Sequence, residues 1–175
     1  MELWDLYDRD GNKTGKIWER TNVDSLSIPD GLYHIVCDVL IKHSDGSYLL
    51  TKRDPGKNVY PGYWEASAGG SALQGEDPEQ CVVREMFEET GLKAESIELI
   101  NKTIRDQSHS IIYSYLATVN CDKDSVVLQE GETTEYKWVD VQGLLEYTRS
   151  DLAIKTHVDR YRPYLDLLEK SVCGV

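Results

Sequence analysis

The feature that most constrains this 175-residue chain is a single helix with both of its ends written into the sequence. Asp77 has the short acceptor side chain of an N-cap, Pro78 suits the first helical position, and Gln80 completes a capping box. Gly91 supplies the left-handed stop, so a helix is predicted to about Thr90. The flanking sequence has the shorter period of strands. Residues 3–20 form a predicted hairpin around Asp10-Gly11-Asn12, and residues 21–31 are a polar connector. Tyr33 to Lys42 and Tyr48 to Lys52 make a second hairpin about His43-Ser44-Asp45-Gly46. Residues 96–106 and 109–119 make a third across Gln107-Ser108. Short strands are predicted at Trp64 to Ala68 and Glu135 to Val139, with Gly69-Gly70-Ser71 as a flexible link. Asp140 caps a helix over 141–147, and Ser150 opens a helical stretch that Pro163 kinks or divides. The sum is α+β, a mixed sheet with helices on its faces.

Composition narrows the partners. The formal net charge is −12, with the Lys and Arg residues scattered, so a nucleic-acid backbone would be repelled. No apolar run approaches the roughly 20 residues of a membrane span, and the start Met1-Glu2-Leu3-Trp4-Asp5 lacks the pattern of a signal peptide. The four cysteines, at 37, 81, 121 and 173, are far apart and fit neither a zinc knuckle nor a redox motif. A reduced, cytoplasmic protein is expected, with neither a nucleic-acid nor a membrane partner.

The chemistry gathers on the central helix. Glu85, Glu88 and Glu89 stand three and four residues apart and project towards one face. Like charges at that spacing cost about 0.2–0.5 kcal/mol per pair, and the helix C-terminus disfavours anions. Arg84 reaches Glu88 at i+4, but one guanidinium does not neutralise three carboxylates. Two readings follow: a solvated acidic face, or a site for Mg²⁺ or Mn²⁺, which favour hard oxygen ligands.

The surrounding spacing decides between them. From Gly70 the chain reads Gly, five residues, Glu76, seven residues, then Arg84-Glu85-Met86-Phe87-Glu88-Glu89-Thr90-Gly91-Leu92. Seven fixed and two aliphatic positions match the box of the Nudix hydrolases, which chance would supply on the order of 10⁻⁹ per starting point. The chain resembles that family over roughly residues 32–150. The resemblance implies an α/β/α sandwich around a mixed sheet. Residues 1–30 would be an N-terminal hairpin extension, placed at a sheet edge or a dimer contact, and 31–175 the Nudix domain with its box at 70–92.

It also implies roles. Glu85 and Glu89 would bind Mg²⁺ (or Mn²⁺) directly, Glu88 directly or through water, and the Gly69 carbonyl would add a backbone ligand. Arg84 would orient Glu88, Glu76 would tether the loop, and Gly91 would be structural. The reaction implied is metal-assisted hydrolysis of a nucleoside diphosphate linked to a group X. The general base is Glu88, Glu132 or Glu135, the last two in an acidic loop whose bland reading is solvation. Arg53 and His109 are candidate substrate contacts, with Lys52, Lys57 and His34 behind them. Tyr33, Tyr60, Tyr63, Trp64 and Tyr113 either stack on a base or simply pack, and packing is the commoner fate.

Within the family, Glu2 to Lys16, Tyr48 to Arg53 and Tyr60 to Glu65 resemble the branch of isopentenyl-diphosphate isomerase. That enzyme carries a Cys and a His ligand just after the Trp strand, where this chain has Ala66-Ser67-Ala68-Gly69. Its box is degenerate and this one is complete, which favours hydrolysis. A binding module of the same fold is the third reading, and such modules lose box glutamates. The expected partner is a small diphosphate or nucleotide, with a homodimer possible.

Overall fold

The computed structural model describes residues 2–20 and 27–173. Its strands are β1 (Glu2–Tyr7), β2 (Lys13–Arg20), β3 (His34–His43), β4 (Tyr48–Arg53), β5 (Trp64–Ala66), β6 (Ala68–Ser71), β7 (Ser96–Arg105), β8 (Ser110–Val119) and β9 (Thr133–Val139). Its helices are α1 (Pro78–Thr90), α2 (Val141–Arg149), α3 (Lys155–Arg160) and α4 (Arg162–Cys173). Seven strands form one mixed sheet in the order β5-β4-β3-β8-β7, with β6 on β3 and β9 on β4. The β3–β8 pair is parallel and its neighbours are antiparallel.

Alternation along β3 sorts the two sides of the sheet. Ile35, Cys37, Val39 and Ile41 pack with Met86 and Val82 of α1. Leu40, with Tyr48 and Leu50 of β4, packs against Leu144, Val158 and Leu165 from the C-terminal helices. This is the layered α+β architecture the sequence predicts. Helix α1 begins and ends where its caps require: Asp77 and Gln80 exchange the two hydrogen bonds of a capping box, and Gly91 turns at φ 70°.

Three local expectations are corrected. The predicted strand Trp64 to Ala68 breaks at Ser67, and Gly69-Gly70-Ser71 is strand β6 rather than a flexible link. Ser67 is fully buried at φ 22°, wedged where β3 and β4 separate. Its hydroxyl donates to the Leu49 carbonyl and accepts the Ile41 N–H, both at 2.8 Å. These bonds satisfy backbone groups that the splayed strands leave open. The last helical stretch starts at Lys155, not Ser150, because the Ser150 N–H is taken up by the Tyr147 carbonyl at the end of α2. Pro163 is the second residue of α4, where its missing N–H costs nothing.

The N-terminal hairpin does not extend the main sheet. β1 and β2 form their own two-stranded sheet around Trp4 and Leu6, joined to the domain by the Tyr7–Tyr33 bridge. The hairpin also grips the segment leading to α1. Gln74 N–H donates to the Leu3 carbonyl at 2.7 Å, and Gly75 N–H to Asp5 at 2.9 Å. Most of the predicted connector, residues 21–26, lies outside the described residues. Among the described residues no helix is long and apolar enough to cross a membrane.

Candidate active site

Strand β6 and helix α1 meet at a cavity of about 380 Å³. Gly69, Gly70, Glu85, Glu88, Glu89 and Glu132 all line it, with Arg84 and Lys57 as cations. A Cβ at Gly70 would sit 2.3 Å from the Glu85 carboxyl group, so a larger residue there would force that side chain to move. At Gly69 a Cβ would meet the Cys37 carbonyl oxygen at 2.7 Å. The two glycines therefore let a carboxylate and the β3 backbone come up to β6.

Arg84 organises the acids. Its Nε and Nη2 donate to the two oxygens of Glu76, at 2.7 and 2.9 Å. Its Nη1 donates to Glu85 at 2.7 Å and to Glu88 at 3.1 Å. The guanidinium thus holds three box glutamates at once, a broader part than the single bond to Glu88 inferred from sequence. Glu76 also accepts from the Leu73 N–H at 2.9 Å, which tethers the loop before α1. Arg84 lowers the Glu76 pKa below the usual carboxylate value.

The inner acids are under the opposite pressure. Burial raises the pKa of Glu85. Glu89, 7% exposed, is pushed well above the ordinary value by burial and by Glu65, Glu85 and Glu132. Its nearest relief is the Gly69 N–H at 3.3 Å. Carboxylates drawn out of water that repel one another are a hard-oxygen donor set whose strain a divalent cation would relieve. Among the described residues no group of three acidic, His or Cys side chains gathers closely enough to hold a metal ion on its own. Mg²⁺ bound here would rest on fewer carboxylates, with waters and substrate phosphate oxygens completing its shell.

The other predicted site residues scatter. Glu132 lines the cavity, ion-paired with Lys57. Glu135 does not line it; it sits on β9, paired with Lys52 at 2.6 Å. Arg53 is held against Glu65, with Nη1 at 3.1 and 3.2 Å from the two carboxylate oxygens. His109 lies away from the glutamates: it closes the β7–β8 turn at φ 46°, with Nδ1 3.2 Å from the Leu32 carbonyl. His34 is buried and stacked on Trp4. Tyr33 is buried too, donating to Asp106 at 2.6 Å.

Sequence reasoning missed Glu65, Asp38 and Arg160. Glu65 and Asp38 are buried acids, and Arg160 of α3 pairs with Asp38 while Tyr161 donates to it at 3.0 Å. A local signal existed, because each acid is a lone charge inside an apolar strand. Glu2 and Arg20 of the hairpin also reach the rim of the glutamate cavity, which the sequence did not suggest.

A family model for the NUDIX domain matches residues 32–166, well over half of the chain. The chain belongs to the Nudix family of pyrophosphohydrolases. An uncharacterized Nudix hydrolase of Listeria monocytogenes is 39% identical over 92 residues, 53% of this chain and 52% of that protein. The match thus spans about half the length of that relative. The nucleoside triphosphatase NudI of Escherichia coli is 33% identical over 136 residues, 69% of this chain and 94% of NudI. An isopentenyl-diphosphate Δ-isomerase of Klebsiella pneumoniae is 28% identical over 117 residues, covering 64% of each chain. Among solved structures, DR0079 from Deinococcus radiodurans aligns over 97% of this Nudix chain and 98% of its own, with a TM-score of 0.68 at 18% identity. That last likeness shows the shared fold.

Proposed function

We propose that this Nudix protein is a Mg²⁺-dependent hydrolase of the diphosphate linkage in a nucleoside diphosphate bonded to a second group. One observation carries the reading: Glu85, Glu88, Glu89 and Glu132 face a single cavity floored by glycines, with Arg84 and Lys57 beside them. Glu85, Glu89 and the Gly69 carbonyl would hold the metal, with Glu88 beside it as a direct or water-mediated partner. A bound Mg²⁺ supplies charge neutralisation at the phosphate oxygens and a more acidic water.

The chain's own groups do the rest. Lys57 and the backbone of Gly69–Ser71 meet the diphosphate at the cavity wall. Arg84 keeps Glu85 and Glu88 pointed inward. Glu88 is the general base: only its Oε2 is bonded among the described side chains, leaving Oε1 to take the proton from the attacking water. Glu132 is the second choice and Glu135 is set aside, since it lies outside the cavity.

The substrate is a small molecule rather than a nucleic acid, in keeping with the net charge of −12. Cys37 and Cys81, buried and unpaired by disulfide, suit a reducing cytoplasmic setting. The named activity of NudI favours a nucleotide substrate. The likeness to isomerases favours the alternative chemistry, but this chain has Ser67 and Ala68 where that reaction needs its Cys.

The test is phosphate release with Mg²⁺ over nucleoside di- and triphosphates, nucleotide sugars, ADP-ribose and isopentenyl diphosphate, with and without a coupled phosphatase. Selective turnover of one nucleotide class, nearly abolished in Glu88→Gln and Glu89→Gln, is expected. Metal-independent turnover, full activity in both variants, or isomerisation of isopentenyl diphosphate without hydrolysis would overturn the proposal.

A further inference from the structure

The glutamate cavity has a neighbour on the far side of β6. A cleft bounded by Gly69–Ser71 leads past Arg53, His157 and Arg160 into a cavity of about 360 Å³. Three element ends converge there: Arg53 closes β4, Arg105 closes β7, and Arg160 closes α3.

The charges do not balance. Glu65 compensates Arg53 and Asp38 compensates Arg160. Arg105 donates to the Thr156 carbonyl at 3.3 Å and, among the described residues, has no carboxylate partner. Burial and these same three arginines hold His157 well below the imidazole range, so it adds no charge. Three guanidiniums against two carboxylates leave one net positive charge in a half-enclosed space, on a chain whose overall charge is −12. The Arg160 Nε is also buried without a hydrogen-bond partner among the described residues. A buried donor left unsatisfied is unfavourable.

The mouth has a different chemistry. Val59 and Tyr60 form an apolar lip, with Tyr60 held at φ 51°. A non-glycine residue held in that region is strained, and such strain clusters at ligand clamps. The space therefore offers an aromatic wall near its opening and forked cations within. Paired guanidiniums match the oxygens of a phosphate, and a dianion offsets them better than a neutral hydroxyl does.

We propose that this cavity receives the group X of the diphosphate substrate, and that Arg105 with Arg160 selects X groups carrying a phosphate of their own. The inference rests on the hydrolase reading, because a diphosphate held at the glutamates is what delivers X to this side of β6.

Matched substrates whose X group differs by one phosphate test it: ADP-ribose against ADP-ribose 1″-phosphate, and ADP-glucose against ADP-glucose 6″-phosphate. The native protein is expected to favour the phosphorylated member of at least one pair by tenfold or more in kcat/KM. Arg105→Gln should bring that ratio to within about threefold of unity, and Arg105→Lys should restore part of it. A native ratio near one in both pairs, or an unchanged ratio in Arg105→Gln, would overturn the inference. If no member of either pair is turned over with Mg²⁺, the hydrolase reading is decided by the broader diphosphate panel instead. Calorimetric titration of the same pairs with Ca²⁺ then decides the cavity separately: a tenfold difference in Kd that disappears in Arg105→Gln upholds it, and equal Kd values refute it.

Discussion

Arg84 holds Glu76 through two parallel hydrogen bonds, Nε to Oε1 at 2.7 Å and Nη2 to Oε2 at 2.9 Å. This fork joins the loop before α1 to the middle of the helix, while the same guanidinium steadies Glu85 and Glu88. The pair is about four-fifths buried, so water screens it less than an exposed ion pair. Loop anchoring and carboxylate aim therefore depend on one side chain.

Glu76→Gln keeps the shape and removes the charge. A hydrogen bond to a charged group contributes about 1.5–3 kcal/mol, so Tm should fall by about 3–12 °C. Loss of a group that orients metal ligands costs about 10–100-fold in activity or metal affinity, and kcat/KM should fall within that range. An unchanged melting curve together with native kcat/KM would show that the fork does neither job.

Gly70→Ala tests the approach of Glu85 to β6. The new Cβ would lie 2.3 Å from the carboxyl carbon, so Glu85 must leave its place beside Arg84. Mg²⁺ affinity measured by calorimetry should drop at least tenfold, of the order seen when metal ligands are misdirected. Native affinity in this variant would remove Glu85 from the proposed ligand set.

Helix α1 and its box were legible because the deciding chemistry is local: caps and glutamates repeat at spacings that helix geometry fixes. The break at Ser67 was not, because it depends on Ile41 and Leu49, residues of two other strands. The arginine cavity was hidden for a similar reason. Arg53, Arg105 and Arg160 are some fifty residues apart in sequence and only the fold brings them together. Asp38 and Glu65 were readable as anomalies, single charges within apolar strands, but nothing local named their partners. Glu132 and Glu135 differ by three positions in one acidic run, yet only Glu132 faces the cavity. β9 turns Glu135 towards Lys52 instead.

Glu89→Gln separates the needs of the metal from those of the fold. The raised pKa of Glu89 means that burial in the metal-free protein disfavours its charged carboxylate. The folded pKa lies above the unfolded one, so the contribution to stability is complete below the unfolded pKa. It is lost as pH rises through the folded pKa. At neutral pH in EDTA the neutral amide should therefore raise Tm, by about 2–6 °C, while Mg²⁺-dependent turnover disappears. A lower Tm in EDTA would mean that the charged carboxylate is stabilising without metal, against the burial argument.

His34 predicts how the fold responds to acid. It is 3% exposed, stacked on Trp4 with ring centroids 4.3 Å apart, and its Nδ1 lies 3.0 Å from the His109 carbonyl. Burial lowers its pKa to about 4, from the ordinary imidazole value of 6.5. The unfolded chain then binds the proton first. Stability from this group is present above pH 6.5 and is lost as the pH falls through 4, a total of about 3 kcal/mol. His34→Asn retains a side-chain N–H near the carbonyl but cannot titrate there. Urea unfolding at pH 7.5, 6, 5 and 4 should show the native protein losing stability faster than the variant across that window. Parallel curves would mean that His34 accepts its proton without cost and that other groups set the acid limit.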